Sequence, residues 1–256
     1  MQKTENLERS RSAQHCCPVV ELRQYTLHPG MRDTLIELFD REFVESQEAL
    51  GMKIIGQFRD ADNPNRFVWL RGFRDMPSRS EALKSFYGGP VWKAHSKAAN
   101  ATMIDSDNVL LLRPARPTSG FPPENSERPA PGASEIPRGL IVATIYYFNA
   151  PIDVGFVDSF ERSMKPMLTD SGASILAYFI TESSANTFPA LPVREGEHFF
   201  VWFSRFPDEA ACEDHAAALA RSPGWRGAVS EALADRLKGS PEVLKLSPTA
   251  RSLLRG

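Results

Sequence analysis

Metal-ligand spacing, a phosphate-cradling loop and a nucleophile elbow are all missing from this 256-residue sequence. No pair of histidines or carboxylates sits at ligand spacing on one predicted helix, and no Gly-x-Gly-x-x-Gly occurs. Charge of one sign is missing too. A formal net charge of -2 gives no electrostatic case for nucleic acid or an acidic membrane surface, so neither is expected as a partner. No apolar run approaches the roughly 20 residues of a membrane span, and the polar start, residues 1–12, lacks the apolar core of a secretory signal. These absences place the expected location in the cytoplasm. Cysteine is scarce, at three residues. Cys16 and Cys17 are adjacent, a spacing poorly suited to a mutual disulfide, and Cys212 falls in a helix-like stretch. The pair reads as an exposed tail end, with a thiol sensor as the alternative.

What the chain has in place of motifs is self-similarity. Phe67, Val68, Trp69 and Phe73 recur 133 positions later as Phe200, Val201, Trp202 and Phe206, and Pro90 and Trp92 return at that offset as Pro223 and Trp225. Upstream the offset is 121, pairing Tyr25 with Tyr146, Phe39 with Phe160, Gly51 with Gly172 and Phe58 with Phe179. Near the end it is 134, pairing Leu112 with Leu246 and Pro114 with Pro248. Register kept over such distances implies two copies of one unit, and 42% apolar with 24% charged residues is ample for two globular cores.

Read in order, residues 1–17 form a polar tail expected to be disordered. Strand alternation runs over 19–27, the His28-Pro29-Gly30 turn follows, and a long amphipathic helix occupies 31–50 with Gly51 closing it. Strands over 52–59 and 67–73 form a hairpin, two helical pieces cover 78–86 and 91–103, and a strand at 109–113 completes the first unit, 18–115. The order strand, helix, strand, strand, helix, strand is ferredoxin-like. Residues 116–139 are Pro-rich, seven of the 20 prolines falling between 114 and 139, and read as a linker. The second unit spans 140–250. Its hairpin is longer, over 182–197, and reads as surface ornament unless it covers a pocket or contacts another subunit.

Alternate residues of a strand face opposite sides. Phe67, Trp69, Arg71 and Phe73 share one face and Val68 and Leu70 the other, so both faces of this strand are apolar. Helices can cover one face only, and the economical cover for the other is the second repeat. The expected fold is therefore α+β: two tandem βαββαβ repeats packed sheet to sheet into one barrel within the chain.

The segment Val19-Val20-Glu21-Leu22-Arg23-Gln24-Tyr25-Thr26-Leu27 with His28-Pro29-Gly30, the Phe-Val-Trp strand and the Pro-x-Trp after the second helix together resemble the NIPSNAP family of the dimeric α/β-barrel superfamily. The resemblance covers roughly 19–115 and 140–248. It implies the barrel fold without an established reaction, since the wider superfamily includes cofactor-free monooxygenases, haem enzymes and plain small-molecule binders.

Candidate site residues come from comparing the halves, because a scaffold needs the same residues twice and a site may need them once. Glu21, Arg23 and Tyr25 correspond to Val142, Thr144 and Tyr146; Arg71 corresponds to Ser204, His95 to Ala228 and Asn100 to Leu233. The polar set gathers in the first half. Facing the barrel interior, Glu21, Arg23, Tyr25, Trp69 and Arg71 would line an apolar pocket with a few convergent polar groups, joined by Trp92 and Asn100. Arg71 would hold an oxyanion, His95 would act as general base, and Tyr25 would donate or position. An internal ion pair for Glu21 and core packing for the tryptophans are the competing readings. The first functional expectation is a binder of a small apolar or anionic molecule in the N-terminal repeat. The second is a cofactor-free monooxygenase or isomerase on an aromatic or enolisable substrate, with His95 as an axial haem ligand a variant of it. The third is a non-catalytic scaffold for protein partners. No cofactor and no metal are expected, and association between copies of the chain stays open.

Overall fold

The computed structural model of the protein describes residues 16–123, 127–233 and 235–255. Strand β1 is Val19–Leu27. Helix α1 follows in three pieces, Arg32–Leu38, a π-helical turn Phe39–Phe43, and Val44–Glu48. Strands β2 (Lys53–Asp60) and β3 (Arg66–Phe73) form the hairpin, α2 (Met76–Gly88) and α3 (Pro90–Asn100) follow, and β4 is Met103–Pro114. The second half repeats the order. It comprises β5 (Leu140–Phe148), α4 (Val154–Ser159, π turn Phe160–Met164, Lys165–Asp170), β6 (Ser174–Thr181), β7 (His198–Phe206), α5 (Glu209–Arg221), α6 (Pro223–Leu233) and β8 (Glu242–Pro248).

Local chemistry explains the boundaries. Asp75, Asp153 and Asp208 cap α2, α4 and α5 by accepting from backbone N–H groups of Ser78, Phe156 and Ala211, which relieves the unpaired donors of a first turn. Gly51 and Gly172 stop α1 and α4 at φ values of 84° and 106°, where a side chain would be strained. The π turns fall at matched positions in both halves. In each, the leading phenylalanine meets the tryptophan matched between the halves: Phe39 lies 4.8 Å from Trp69 and Phe160 lies 5.6 Å from Trp202, centroid to centroid. Sequence periodicity reads these segments as plain α-helix; the wider turn is a tertiary adjustment that seats an aromatic ring on the sheet.

All eight strands close into one barrel in the order β1-β3-β2-β8-β5-β7-β6-β4. Two seams join the halves, β2 with β8 and β4 with β6, both antiparallel. The interior is filled by Val20, Leu22, Val68, Leu70, Leu110, Ile141, Val201, Phe203 and Leu246 among others, all essentially without exposure. Two further cores lie outside the barrel wall, each between one half's strands and its own helices.

Three segments differ from expectation. Cys17, read as part of an exposed tail, is buried in the barrel cluster, and an added Cβ at Gly72 would come within 2.3 Å of its Sγ. Residues 1–15 of that tail lie outside the described residues. The Pro-rich linker contributes packing of its own. Phe121 stacks near Phe179 and Phe203 at 5.1 and 5.0 Å, and Arg128 donates to the Ile54 and Arg251 carbonyls at 2.6 Å each. The stretch 182–197 is more than ornament. Asn186 and Thr187 accept from Arg79 Nη1 at 3.0 and 3.2 Å, Ser80 donates to the Thr187 carbonyl, and Phe188 stacks on Tyr87 at 5.8 Å. A second-half loop thereby clasps a first-half helix. Replacing Phe188 with alanine is expected to lower stability by about 1 kcal/mol through the lost stacking, readable as a shifted urea midpoint.

Candidate functional site

Register decides where the predicted polar set goes. β1 pairs with β3 so that Glu21 lies opposite Arg71 and Arg23 opposite Trp69, which puts Glu21, Arg23, Tyr25, Trp69 and Arg71 on one face. That face is the outer one, toward the helices, and the expectation that it lines the barrel interior is corrected. Side chains of Val20, Leu22, Val68 and Leu70 occupy the interior instead, since an eight-stranded barrel has room only for the inward side chains of its own strands.

On the outer face these residues form a closed ionic cluster. Glu21 Oε2 accepts from Arg71 Nη2 at 2.6 Å and Arg23 Nη1 at 2.9 Å, and Glu21 Oε1 accepts from Arg79 Nε at 2.7 Å. All four side chains are at most 1% exposed. Burial by itself would raise the Glu21 carboxyl, but Arg71, Arg23 and Arg79 outweigh it and hold Glu21 well below the usual carboxylate range. Arg71 completes its bonding to Gln47 Oε1 at 2.8 Å, and Arg23 Nε donates to the Tyr25 hydroxyl at 3.0 Å. The excess positive charge rests on aromatic faces: Arg71 lies 4.9 Å from the Trp69 ring and 5.4 Å from Phe73, and Arg23 lies 5.6 Å from Trp69. Beside this cluster the space left between sheet and helices is about 30 Å³, enough for about one water, lined by Tyr25, Gln47, Trp69 and Trp92.

The remaining candidates are not drawn in. His95 sits on α3, half-buried, with Nε2 3.3 Å from Glu42 Oε2. Asn100 is exposed at the end of that helix. Trp92 packs against Tyr87, Phe43 and Phe86 at 4.8, 5.6 and 5.9 Å. Arg79 is the member that the comparison of halves could have found and did not: at the 133 offset its counterpart is Cys212, a further charge present once. Among the described residues no group of three His, Cys, Asp or Glu side chains could hold a metal ion.

The equivalent place in the second half is different. Glu21, Arg23, Arg71 and Arg79 are replaced by Val142, Thr144, Ser204 and Cys212, and Gln47 by Leu168. Four large charged side chains become four small ones, while the matched tryptophans and tyrosine stay. The result is a cavity of about 270 Å³ between the outer face of the sheet and α5, with all five replacements in its wall together with Tyr146, Trp202 and Trp225. Larger hollows of about 400 and 460 Å³ occur, but they are rimmed by charged groups such as Arg74, Glu81, Asp40 and Arg41. In the second-half cavity apolar surface predominates. Burial pushes the Tyr146 hydroxyl and the Cys212 thiol up, so both stay protonated at neutral pH. His215, with Ala82 as its first-half counterpart, also lines the wall, its ring 5.0 Å from Phe206. Burial holds its imidazole below the ordinary histidine range, against a smaller raising effect of its bond to Ser171, which keeps it neutral.

The NIPSNAP family model matches residues 20–117, so the first half carries a NIPSNAP domain. No curated protein matches the chain. Among solved structures, the chain is similar to an anthrone oxidase-like protein at 14% identity, covering 95% of this chain and 98% of that one with a TM-score of 0.53. It is similar to a candidate monooxygenase from Lactobacillus acidophilus NCFM at 15% identity, covering 91% and 94%, TM-score 0.50. A candidate monooxygenase from Fusobacterium nucleatum subsp. nucleatum matches at 8% identity over 91% and 93%, also at 0.50. At these identities the likeness is one of fold, a mixed α+β chain closing an eight-stranded antiparallel barrel.

Proposed function

We propose that the protein binds a small, flat, largely apolar molecule in the cavity between the second-half sheet and α5. The observation that carries this reading is the difference between matched positions: where the first half is filled by Glu21, Arg23, Arg71 and Arg79, the second half leaves about 270 Å³ walled by Trp202, Trp225 and small side chains. A cavity near the lower end of ligand-site size, apolar with a few polar atoms, suits a molecule of one or two rings. The anionic-ligand reading of the first half finds less support, because Arg71 spends its bonds on Glu21 and Gln47 and the adjoining space is about 30 Å³. Oxygenase or isomerase chemistry on Arg71, His95 and Tyr25 is weakened likewise, since His95 faces Glu42.

The barrel closes within one chain, so its strands need no second copy to complete the sheet. Among the described residues no helix is long and apolar enough to cross a membrane, and all three cysteines are free thiols, which favours a reducing compartment such as the cytoplasm.

The test is equilibrium dialysis with 2-methoxynaphthalene against the wild type and Ser204→Leu. Leucine at 204 fills the cavity with apolar volume and leaves the rest of the chain alone. The wild type is expected to bind and the variant to lose at least about tenfold in affinity, a difference of about 1.4 kcal/mol, while keeping its thermal midpoint. Equal binding by the two proteins, or none by either, would overturn the assignment.

A further inference from the structure

The wall of the second-half cavity is apolar apart from a few polar side chains. Thr144, Tyr146 and Ser204 bring hydroxyls to that wall and His215 an imidazole whose hydrogen bonds, among the described residues, are all made by Nδ1, on the side of Ser171. Hydroxyls can turn to donate or accept, so they place little constraint on a ligand. An imidazole nitrogen cannot turn, and its role is set by the proton on the other one.

That proton can be located. His215 Nδ1 lies 3.2 Å from the Ser171 carbonyl oxygen, which can only accept, and 2.9 Å from Ser171 Oγ. Ser171 Oγ has its own hydrogen directed at the Met167 and Leu168 carbonyls, at 2.7 and 3.0 Å, so toward the histidine it too is an acceptor. The carbonyl contact assigns the proton to Nδ1, with which the Ser171 hydroxyl geometry is consistent, and in the neutral ring Nε2 is left as a pure acceptor. Ser171 is itself fixed as the residue closing α4, ahead of Gly172 at positive φ, so this tautomer is built into a helix end.

Resting on the cavity reading above, we infer that the ligand carries a hydroxyl group on its flat apolar frame, a phenol or stable enol, and that this hydroxyl donates to Nε2 of His215. An acceptor on the wall of an apolar cavity loses its water when the cavity fills, and only a ligand donor restores the bond. A carboxylate is disfavoured, since the walls are apolar and Lys245 at the rim is engaged by Asp62 at 3.3 Å. An ether of the same shape fills the space and leaves Nε2 unpaired.

Paired probes separate this inference from the binding reading. In equilibrium dialysis, 2-naphthol is expected to bind the wild type about tenfold more tightly than 2-methoxynaphthalene, the cost of an unmade buried hydrogen bond. His215→Phe is expected to keep the ether and bring the two probes within about twofold. Because the substitution could compromise folding, nitrogen NMR of the wild-type imidazole supplies a second readout: Nδ1 protonated, Nε2 bare, and the Nε2 resonance shifting when 2-naphthol but not its ether is added. Equal affinity of the two probes for the wild type, a preference surviving in His215→Phe, or a proton found on Nε2 would overturn the donor assignment while leaving the cavity reading intact. If neither probe binds, both fall together.

Discussion

Glu21→Gln is expected to cost about 3–5 kcal/mol of stability, enough to unfold much of the protein under mild denaturant. The change is nearly isosteric, so the loss is electrostatic. Arg23, Arg71 and Arg79, each at most 1% exposed, would share a single neutral amide in place of a carboxylate, with only ring faces to offset their charge. The sign of the pH dependence follows. Glu21 is held below its ordinary value of 4.5, so the native state binds fewer protons than the unfolded chain, and the cluster's contribution is present above pH 4.5 and lost as the pH falls further. Urea midpoints measured from neutral pH downward should decline steeply for the wild type and more shallowly for Glu21→Gln. A variant within about 1 kcal/mol of wild type would mean that the cluster is held by packing rather than by charge.

The second large effect is an inequality. Trp69 and Trp202 occupy matched positions in the repeat, yet Trp69→Ala is expected to cost about 3–5 kcal/mol and Trp202→Ala measurably less. Trp69 is enclosed by Phe39 at 4.8 Å, Tyr25 at 5.9 Å and two guanidinium groups, so its removal leaves a hole that rigid neighbours cannot close. Trp202 packs on Tyr146 and Phe160 at 4.9 and 5.6 Å but already borders the cavity of about 270 Å³, shared with the small side chains of Thr144, Ser204 and Cys212 and with no guanidinium group on its ring among the described residues. Equal losses in denaturant titrations of the two variants would contradict the view that one half is plugged and the other open.

Much of the architecture was legible from residue pattern alone. Matched offsets for Trp69 and Trp202, Phe58 and Phe179, and Gly51 and Gly172 exposed the duplication, and two-faced apolar strands required that something other than helices cover one side. Which side received the polar set was not legible. Alternation assigns Glu21, Arg23 and Arg71 to a common face without saying whether that face looks into the barrel or toward the helices, because both environments are dry and both tolerate Trp69 and Phe73. The rule that a site needs its residues once pointed at the half with more charge. Charges that satisfy one another fill space, however, and the half from which they are absent has the room. From Arg71 to Ser204 charge is lost and space is gained. The role of His215 is not legible in the sequence, because its tautomer depends on a helix end at Ser171, 44 residues earlier, and no spacing rule links the two.

The seams that pair β2 with β8 and β4 with β6 make one barrel out of two units that share a single backbone. In a twofold assembly of separate identical subunits every substitution is made twice, so opening a cavity in one unit empties its counterpart too, and the stabilising ionic cluster is lost from both. Joining the copies end to end breaks that symmetry. One unit can then keep its sealed electrostatic core as ballast for the whole barrel, while the other drifts toward a hollow, weaker and more interesting interior at no cost to its twin.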